Sequence, residues 1–351
     1  MKSNFNLNNL IRANIKALKP YSSARDEYKD ANVSEMIFLD ANENPFDNGV
    51  NRYPDPNQNN VKQLLSEIKG IDTRNLLLGN GSDEVLDLIF RAFCEPHKDN
   101  IITLPPTYGM YSVLANVNAV ENKKVLLNKD FQPQVKQIIG AVDKNSKILF
   151  LCSPNNPTGN SFSEAVIKEL LLKFKGLVVL DEAYIEFSAK ESWLKNLDKY
   201  PNLVIIQTLS KAYGLAGIRL GACYASREII AVLNTIKPPY NVNELTQQRA
   251  IKRLQEMDVI QNEVAQLVSE RKRLHQELEC CVRYIEKVYP SDGNFLLIKV
   301  DDATKRYNQL VTAGVVVRNR TTEALCENCL RISVGICEEN QILLRALKSI
   351  Q

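Results

Sequence analysis

The chain has 351 residues, of which 44% are hydrophobic and 24% are charged, as in an ordinary globular protein. Because a single hydrophobic core stops growing below this length, we expect two domains. The 44 basic and 41 acidic side chains leave a net charge of +3 without a basic run, which argues against nucleic acid or an anionic membrane as partner and favours a small molecule.

The amino-terminal segment and the cysteines predict a cytoplasmic protein. No apolar run approaches the roughly 20 residues needed to cross a bilayer, and residues 1 to 20 lack the apolar core of a secretion signal. In the cytoplasm the eight cysteines are more often thiols than disulfides. Cys326 and Cys329 form a C-x-x-C motif, but no second pair lies at zinc-finger spacing, so we expect no metal. The two histidines, His97 and His275, also disfavour a histidine-dependent triad.

Residues 1 to 45 are predicted to form an arm that packs with the small domain. Apolar residues recur at helical spacing between Leu10 and Leu18, and Pro20 stops this predicted helix. Residues 36 to 60 then pass from a brief strand into a long loop rich in Asn, Pro and Asp. Loops of this length often carry binding groups.

Residues 46 to 240 are predicted to form a large α/β domain. Helix-like and strand-like segments alternate from about residue 61 to residue 235. Short apolar runs such as KILFL (147 to 151) and LVVL (177 to 180) are typical of a mostly parallel sheet that is buried on both faces. The pattern predicts the α/β fold class.

Residues 241 to 351 are predicted to form a long bridging helix and a small α+β domain. Residues 243 to 279 contain no Gly or Pro, and apolar side chains recur there at helical spacing. A coiled-coil seam is the alternative, but the heptad is irregular, so a helix that bridges two domains is favoured. The segments GNFLLIKV, GVVVRNR and LRISVG predict strands of the small domain.

The segment GNGSDE, residues 79 to 84, suggests a phosphate-binding turn between a strand and a helix. Backbone N–H groups of Gly81, Ser82 and Asp83 would face solvent at the positive end of that helix. Alternatively, Ser82 caps the helix, while Asp83 and Glu84 complement its dipole and would repel an anion. Both interpretations stay open at this point.

Two further segments place polar groups after buried strands. SPNNPTG (153 to 159) contains Asn156 before Pro157. The amide of Asn156 could bind a ligand, or the segment could be an ordinary turn. In GLVVLDEAY, Asp181 ends an apolar strand, the usual position of ligand groups in an α/β sheet, although such an aspartate can also be a helix cap. Tyr184, three residues later, could share the same site.

The segment TLSKAYGLAGIRLG, residues 208 to 221, sets Lys211 and Arg219 among small residues that allow close backbone approach. One cation could act as a nucleophile and the other as an anion clamp. With the segments above, the chain offers a lysine, a carboxylate, a phenol, an amide, an arginine and a phosphate-binding turn. Pyridoxal phosphate uses this whole set, as a Schiff base to lysine with a carboxylate on its ring nitrogen.

These motifs resemble a known family. SPNNPTG, LDEAY and TLSKAYGLAGIRLG, in this order, resemble the fold type I enzymes of the aspartate aminotransferase superfamily, over essentially the whole chain. Other segments resemble the histidinol-phosphate aminotransferases: ALKPYSSAR (17 to 25), LDANENPF (39 to 46), RYPDP (52 to 56), GNGSDE, PPTYGMY (105 to 111), VVVRNR (315 to 320) and LRISVG (330 to 335). The resemblance implies a large domain around a mostly parallel sheet flanked by helices, plus a smaller α+β domain.

The resemblance also implies roles around the ring of pyridoxal 5'-phosphate. Lys211 would form the Schiff base and, once released, carry the proton at the substrate carbon. Asp181 would hold the ring nitrogen protonated, so that the ring stays an electron sink. Asn156 and Tyr184 would hydrogen-bond the ring oxygen, and Tyr108 would stack on the ring face.

Around the cofactor phosphate, the resemblance implies a cage of backbone and side-chain donors. It consists of the backbone of Gly81, Ser82 and Asp83 with the side chains of Thr208, Ser210 and Arg219. Tyr53 would reach the phosphate bound by the neighbouring subunit, so a complete site would require a homodimer.

Substrate binding is implied for Arg318 and Arg331 of the small domain and for Tyr21 of the arm. A planar guanidinium binds either the carboxylate of glutamate or the phosphate ester of histidinol phosphate. The alternative for Arg318 is a solvated surface charge. In VVVRNR, Asn319 stands where many members of the resembled family carry aspartate.

The implied activity is amino-group exchange between L-histidinol phosphate and 2-oxoglutarate, giving imidazole-acetol phosphate and L-glutamate in histidine biosynthesis. Threonine-phosphate decarboxylation or aromatic aminotransfer on the same fold is the alternative. A ligand-sensing module of a transcription regulator is disfavoured, because the arm is too short for a DNA-binding helix-turn-helix. A dinucleotide-dependent oxidoreductase is disfavoured because Glu84 stands at the third glycine position of the fingerprint.

Overall fold

The computed structural model describes residues 5 to 19 and 37 to 350. Helices lie at α1 (Ala13–Lys16), α2 (Asn59–Lys69), α3 (Ser82–Phe93), α4 (Met110–Val117), α5 (Val135–Ala141), α6 (Glu164–Lys173), α7 (Arg227–Ile236), α8 (Glu244–Leu254), α9 (Met257–Cys281), α10 (Ala303–Thr312) and α11 (Cys337–Ser349). Strands lie at β1 (Leu76–Asn80), β2 (Asn100–Thr103), β3 (Glu121–Lys124), β4 (Ser146–Cys152), β5 (Leu177–Asp181), β6 (Leu203–Thr208), β7 (Leu220–Ala225), β8 (Ile285–Val288), β9 (Phe295–Val300), β10 (Arg318–Asn319) and β11 (Cys329–Ser333). Short 3₁₀ turns lie at Leu7–Asn9, Thr73–Asn75, Ile185–Phe187, Trp193–Lys199 and Ala216–Ile218.

The larger sheet has seven strands in the order β1-β7-β6-β5-β4-β2-β3. The pairs from β6 through β5, β4 and β2 to β3 are parallel, while β7 runs antiparallel to both β6 and β1. The predicted fold class, a mostly parallel sheet flanked by helices, is therefore confirmed. The carboxyl ends of β4, β5 and β6 meet at one edge of the sheet, where ligands bind in this architecture.

Side-chain alternation along the strands divides the core into two clusters, one on each face of the large sheet. On β4, Leu149 and Leu151 belong to one cluster, and Ile148 and Phe150 belong to the other. Because successive strand residues point to opposite faces, a short apolar run such as this one fills both cores at once.

The smaller sheet has four antiparallel strands in the order β10-β11-β9-β8 and its own apolar cluster. Helices α10 and α11 and the second half of α9 contribute to that cluster, for example through Leu274, Leu310 and Leu347. The predicted smaller α+β domain is confirmed in this arrangement.

The expected single helix over residues 243 to 279 is wrong in one respect, because the chain forms two helices. Helix α8 ends at Leu254, and Glu256 leaves helical geometry before α9 begins. The turn allows Leu254 and Ile260 both to be buried in the core of the large domain. Neither Gly nor Pro marks this break in the sequence.

Helix α9 nevertheless connects the two parts of the molecule. Its first half buries Ile260 in the large-domain cluster, and its second half buries Leu274 in the small-domain cluster. Between them, the buried Arg271 guanidinium donates to the carbonyl oxygens of Phe187 (3.2 Å) and Gly293 (2.6 Å). The Arg271 side chain therefore connects α9 to the segment of Phe187 and to the segment of Gly293.

The described part of the arm lies on the large domain, not on the small domain as we expected. Leu10 is buried in the cluster that α3 and α7 cover. The backbone N–H of Arg12 donates to the carbonyl of Ala92 (3.1 Å), and its guanidinium pairs with Glu95. The apolar face of this segment completes the surface of α3. No helix within the described residues has the length and apolar character needed to cross a bilayer.

Candidate active site

A cavity of about 500 Å³ lies between the carboxyl edge of the large sheet and the β10–β11 edge of the small sheet. Its walls include most of the residues that the sequence predicted for the site: Ser82, Asp83, Tyr108, Asn156, Asp181, Tyr184, Thr208, Ser210, Lys211, Arg219, Arg318 and Arg331. The structure therefore brings together segments that are up to 249 residues apart, from Ser82 to Arg331.

Asp181 is the last residue of β5 and is buried at the base of the cavity. Its carboxylate accepts hydrogen bonds from the Tyr111 hydroxyl (2.7 Å) and from the backbone N–H of Ala183 (3.1 Å). Burial nevertheless raises the pKa of Asp181 to about 6, against the opposing effect of these donors. A cationic group next to this carboxylate would offset the cost of burying its charge.

Tyr111 is a site residue that the sequence analysis missed. Its ring is fully buried and stacks on Phe150 at 4.6 Å between centroids, with Phe90 stacked beyond. The ring is thus fixed while its hydroxyl holds Asp181. Nothing in PPTYGMY singles out Tyr111, because Tyr108 lies before α4 and Tyr111 lies within it, so their three-residue spacing is not a helical one.

Lys211 lies in the turn after β6 and extends into the cavity. Its nitrogen is 5.7 Å from the centroid of the Tyr184 ring. Although the residue as a whole is exposed, desolvation of its amine lowers the pKa of Lys211, and the nearby Arg331 and Arg219 lower it further. A lowered pKa increases the fraction of neutral amine, which is the nucleophilic and proton-accepting form.

Asn156 links the two sides of the cavity. Its side-chain N–H donates to the Tyr184 hydroxyl oxygen at 3.4 Å, and its carbonyl oxygen accepts from the Arg331 guanidinium at 2.5 Å. Burial raises the pKa of Tyr184 well above its usual value, so the phenol is a neutral donor. The amide thus positions a phenol from the large domain and a cation from the small domain.

The turn from β1 into α3 forms one end of the cavity, where the start of a helix presents backbone donors. Gly81 is the N-cap residue of α3 and has a positive φ of 80°, so the alternative in which Ser82 caps the helix is wrong. A Cβ at Gly81 would lie 2.8 Å from Arg219, and one at Gly221 of β7 would lie 2.2 Å from the backbone nitrogen of Ser82. Glycine is therefore needed at both positions for this close packing.

The acidic side chains of this turn are bonded to neighbouring donors. Asp83 accepts a hydrogen bond from Tyr108 (3.0 Å) and pairs with Arg219 (3.4 Å). Glu84 turns back to the backbone N–H of Asn80 and accepts from Asn241. The carboxylates that could have repelled an anion are thus engaged by neighbouring donors, and the amides at the start of α3 remain available to a phosphate.

One predicted residue of the described part, Tyr53, does not reach this cavity. Tyr53 is 51% exposed and stacks on Tyr240 at 4.5 Å. Tyr21 lies outside the described residues. Gly81 directly precedes the cavity-lining Ser82, and the hydroxyl of Thr208, which also lines the cavity, contacts the carbonyl of Leu220 at 3.4 Å.

The small-domain wall contains two charged residues that the sequence analysis missed, Arg320 and Glu323. Arg318 and Arg331 face each other in the β10–β11 register, as expected for a shared site. Arg320 is two residues after Arg318 in VVVRNR, and this spacing was a readable signal that both lie on one face of a strand. Asn319 instead bonds to the backbone N–H of Thr321 (2.9 Å), which makes it part of the turn.

Metal ligands are not gathered at this site or elsewhere in the part of the chain that the structure describes, since no three His, Cys, Asp or Glu side chains cluster in a suitable way. Cys326 and Cys329 are buried free thiols behind the arginine wall.

Comparison with known proteins identifies the family. The model of the family "Aminotransferase class I and II" matches residues 27 to 347. The histidinol-phosphate aminotransferase of Flavobacterium johnsoniae is 66% identical over 344 residues, which cover 98% of each chain. The crystal structure of the histidinol-phosphate aminotransferase of Clostridium acetobutylicum superimposes with a TM-score of 0.79 at 25% identity, covering 86% of this chain and 91% of that one.

A second structure, histidinol-phosphate aminotransferase from Sinorhizobium meliloti in complex with pyridoxal-5'-phosphate, has a TM-score of 0.78 at 24% identity and covers 85% of this chain and 82% of that one. At this identity the likeness concerns the fold alone. The family model and the F. johnsoniae relative both extend over nearly the whole chain. This chain belongs to the class I and II aminotransferase family.

Proposed function

We propose that the protein is a pyridoxal phosphate-dependent aminotransferase that exchanges the amino group between L-histidinol phosphate and 2-oxoglutarate, giving imidazole-acetol phosphate and L-glutamate. One observation carries the proposal: a single cavity combines Lys211 and a buried Asp181 with a wall of guanidinium groups. Full-length similarity to histidinol-phosphate aminotransferases supports the same activity, and with it a cytoplasmic role in histidine biosynthesis.

The residues of the cavity fit pyridoxal 5'-phosphate in three respects. Asp181 is a buried carboxylate whose raised pKa calls for a cationic partner, such as a protonated ring nitrogen. The start of α3, with Arg219 beside it, offers donors to a phosphate. Asn156 and Tyr184 lie together where a ring oxygen requires donors. When bound, the cofactor supplies an electron-withdrawing ring that makes the substrate α-proton acidic.

Among the residues of the chain, one transfers protons and the others position the reacting groups. Lys211, with its lowered pKa, would accept the substrate α-proton as its neutral amine and donate a proton again as its ammonium, which is general acid–base catalysis by one amine. Asp181 would hold a protonated ring nitrogen through its charge, and Tyr111 holds Asp181 in place. Tyr108 covers one side of the cavity, with its hydroxyl anchored to Asp83.

Two amino donors of different charge must use the same substrate end. Glutamate presents a carboxylate where histidinol phosphate presents a phosphate ester. Arg331 and Arg318 lie opposite each other in the β10–β11 register. Their planar guanidinium groups donate two parallel hydrogen bonds and therefore bind either anion. Because Arg331 also donates to Asn156, binding of the substrate anion is coupled to the cofactor side of the cavity.

We also propose that the enzyme is a homodimer in which Tyr53 completes the partner's phosphate site. Tyr53 is exposed on its own chain. It lines a surface depression together with the exposed apolar side chains of Val50 and Leu245. A large exposed apolar patch is typical of a protein interface.

The direct test is spectroscopic. The purified protein, reconstituted with pyridoxal phosphate, is expected to convert its bound aldehyde to the amine form on addition of L-histidinol phosphate, and 2-oxoglutarate is expected to restore the aldehyde. Release of carbon dioxide from threonine phosphate without glutamate turnover would contradict the proposal. A response to aromatic amino acids but not to histidinol phosphate would instead favour an aromatic aminotransferase.

A further inference from the structure

The small-domain wall of the cavity presents three guanidinium groups on one face. Arg318 lies opposite Arg331 in the strand register. Arg320 follows Arg318 by two residues, and its backbone N–H donates to the carbonyl of Cys329 at 2.8 Å, which extends the ladder by one step. Alternate residues of an extended segment share a face, and all three arginines line the cavity.

The positive charge of this wall is only partly neutralised by the described residues. Glu323 is 3.7 Å from Arg320, and their side chains are 36% and 25% exposed, so this ion pair is weak. The other carboxylates that line the cavity, Asp83 and Asp181, are engaged by Arg219 and Tyr111 at the opposite end. Three cations thus face one loosely held carboxylate.

The wall also has unused hydrogen-bond donors. The Nε atoms of Arg320 and Arg331 are buried and have no hydrogen-bond partner among the described residues. Burial and the nearby Arg320 and Arg318 charges lower the pKa of Arg331, which shows how close together the like charges are held. Buried donors of this kind are normally satisfied, so the arginine wall has more hydrogen-bonding capacity than the described residues use.

Arg320 is held by a rigid segment rather than by a mobile loop. The backbone N–H of Glu323 donates to the carbonyl of Arg320 (2.9 Å), that of Cys326 to Glu323 (3.1 Å), and that of Cys329 to Cys326 (3.0 Å). These consecutive turns fix the path from β10 to β11. The guanidinium therefore starts from a defined position at the cavity wall.

We propose that Arg320 is a specificity-determining residue that binds the phosphate monoester of the amino donor and contributes much less to the binding of glutamate. The inference rests on the proposed function. A phosphate monoester carries a charge near −2 and three acceptor oxygens, whereas a carboxylate carries −1 and is satisfied by one guanidinium fork. Arg331 and Arg318 suffice for the carboxylate, and Arg320 matches the additional charge and the additional oxygen. Glu323 is the counter-ion that Arg320 leaves when the phosphate binds.

The test compares Arg320→Gln with the matched control Arg345→Gln, which removes the same charge from an exposed position on α11. Each half-reaction is followed separately through the spectrum of the bound cofactor. Because a hydrogen bond to a charged group is worth about tenfold to hundredfold in affinity, Arg320→Gln is expected to raise the KM for histidinol phosphate by that factor. The KM for glutamate is expected to rise less than about threefold, because Arg331 and Arg318 bind its carboxylate and no charged hydrogen bond is lost. Arg345→Gln should leave both values unchanged.

A second readout uses histidinol, which lacks the phosphate. The preference of the enzyme for histidinol phosphate over histidinol, as a ratio of kcat/KM, should fall in Arg320→Gln and recover partly in Arg320→Lys. Equal losses with glutamate and histidinol phosphate, or no loss with either, would overturn the inference while the proposed function stands. Failure of the wild-type enzyme to respond to histidinol phosphate would overturn both. Thermal unfolding and bound-cofactor content verify that each variant is folded.

Discussion

At the scale of single residues, the chemistry depends on a carboxylate that the fold holds in an unfavourable environment. Asp181 ends a fully buried strand, and Tyr111 and Ala183 give it hydrogen bonds that only partly compensate for lost water. The strand-end position was readable in the sequence because buried strands of an α/β sheet direct their last side chains to the binding edge. The raised pKa was not readable, since it depends on everything packed around the carboxylate.

Replacing Asp181 by asparagine should impair chemistry more than cofactor retention. Asparagine keeps the size of the side chain but removes the charge that stabilises a protonated ring nitrogen, while the donors at the start of α3 are untouched. We expect kcat to fall by about a hundredfold or more, as when other preorganised electrostatic groups are removed. Bound pyridoxal phosphate, measured by absorbance after denaturation, should stay near one per chain. Asp198→Asn, at an exposed position, is the control.

The same residue predicts how stability depends on pH in the cofactor-free protein. Folding raises the pKa of Asp181 from 3.8 to about 6, so the folded state binds the proton more tightly than the unfolded chain does. The stabilisation from this proton is present below pH 4 and is lost as pH rises through about 6. In differential scanning fluorimetry, Asp181→Asn should therefore gain Tm relative to wild type between pH 4 and pH 7. A constant Tm difference would contradict this account.

Tyr111→Phe should alter the pH dependence rather than the fold. The phenylalanine ring keeps the stacking on Phe150, but Asp181 loses its 2.7 Å donor. Because this hydrogen bond lowers the pKa of Asp181, its loss should raise that pKa and move the acidic limb of the kcat/KM profile to higher pH. A slower enzyme with an unchanged pH profile would indicate that Tyr111 acts only through packing.

At the scale of the elements, the sequence predicted the strands better than it predicted where helices end or which surface the amino-terminal arm packs against. Runs such as LVVL are short, apolar and flanked by helical spacers, and they form buried parallel strands as expected. The break between α8 and α9 was missed because the sequence there contains neither Gly nor Pro. The break instead accompanies the burial of Leu254 and Ile260 in one core. Docking of the arm on α3 was also missed, since an apolar face does not specify the surface that it covers.

Close packing of β7 against the turn into α3 can be tested with a single methyl group. A Cβ at Gly221 would lie 2.2 Å from the backbone nitrogen of Ser82, so Gly221→Ala should push this turn out of position. We expect a lower affinity for pyridoxal phosphate, measured by titration, together with a lower Tm. Gly140→Ala, within α5 and where a Cβ would meet nothing within 4 Å, should leave the affinity unchanged and should not lower the Tm. Similar affinities in the two variants would show that the turn is adaptable.

At the scale of the whole molecule, residues of both domains form the site. The sequence predicted those site residues that belong to recognisable motifs. Lys211, Asp181, Asn156 and Arg219 occur in segments whose composition already implied their chemistry, and the structure gathers them in one cavity. Tyr111 and Glu323 were missed because nothing in their own segments requires a functional role, and Arg320 was missed although its spacing from Arg318 was a signal. Their importance comes from neighbours that are distant in the sequence, which only the folded chain reveals.

The proposed contribution of Tyr53 across a dimer can be tested by mixing two inactive variants. Lys211→Ala lacks the amine, and Tyr53→Ala lacks the phenol. If Tyr53 acts on the partner's site, a mixed dimer contains one site with both residues intact. Refolding an equal mixture should then restore about a quarter of wild-type activity, because half of the dimers are mixed and each has one complete site. No recovery above the single variants would place Tyr53 on its own chain's site or outside catalysis.

The position of Arg271 has a mechanical consequence. Helix α9 is 25 residues long, and the guanidinium of Arg271 is bonded to the carbonyl of Phe187 and to that of Gly293. Given a rise of 1.5 Å per residue, a tilt of about 10° around Arg271 would move the two ends of α9 by about 3 Å in opposite directions. Arg271 therefore lies where a tilt of the helix displaces the chain least, and its two hydrogen bonds oppose sliding of α9 along its own axis.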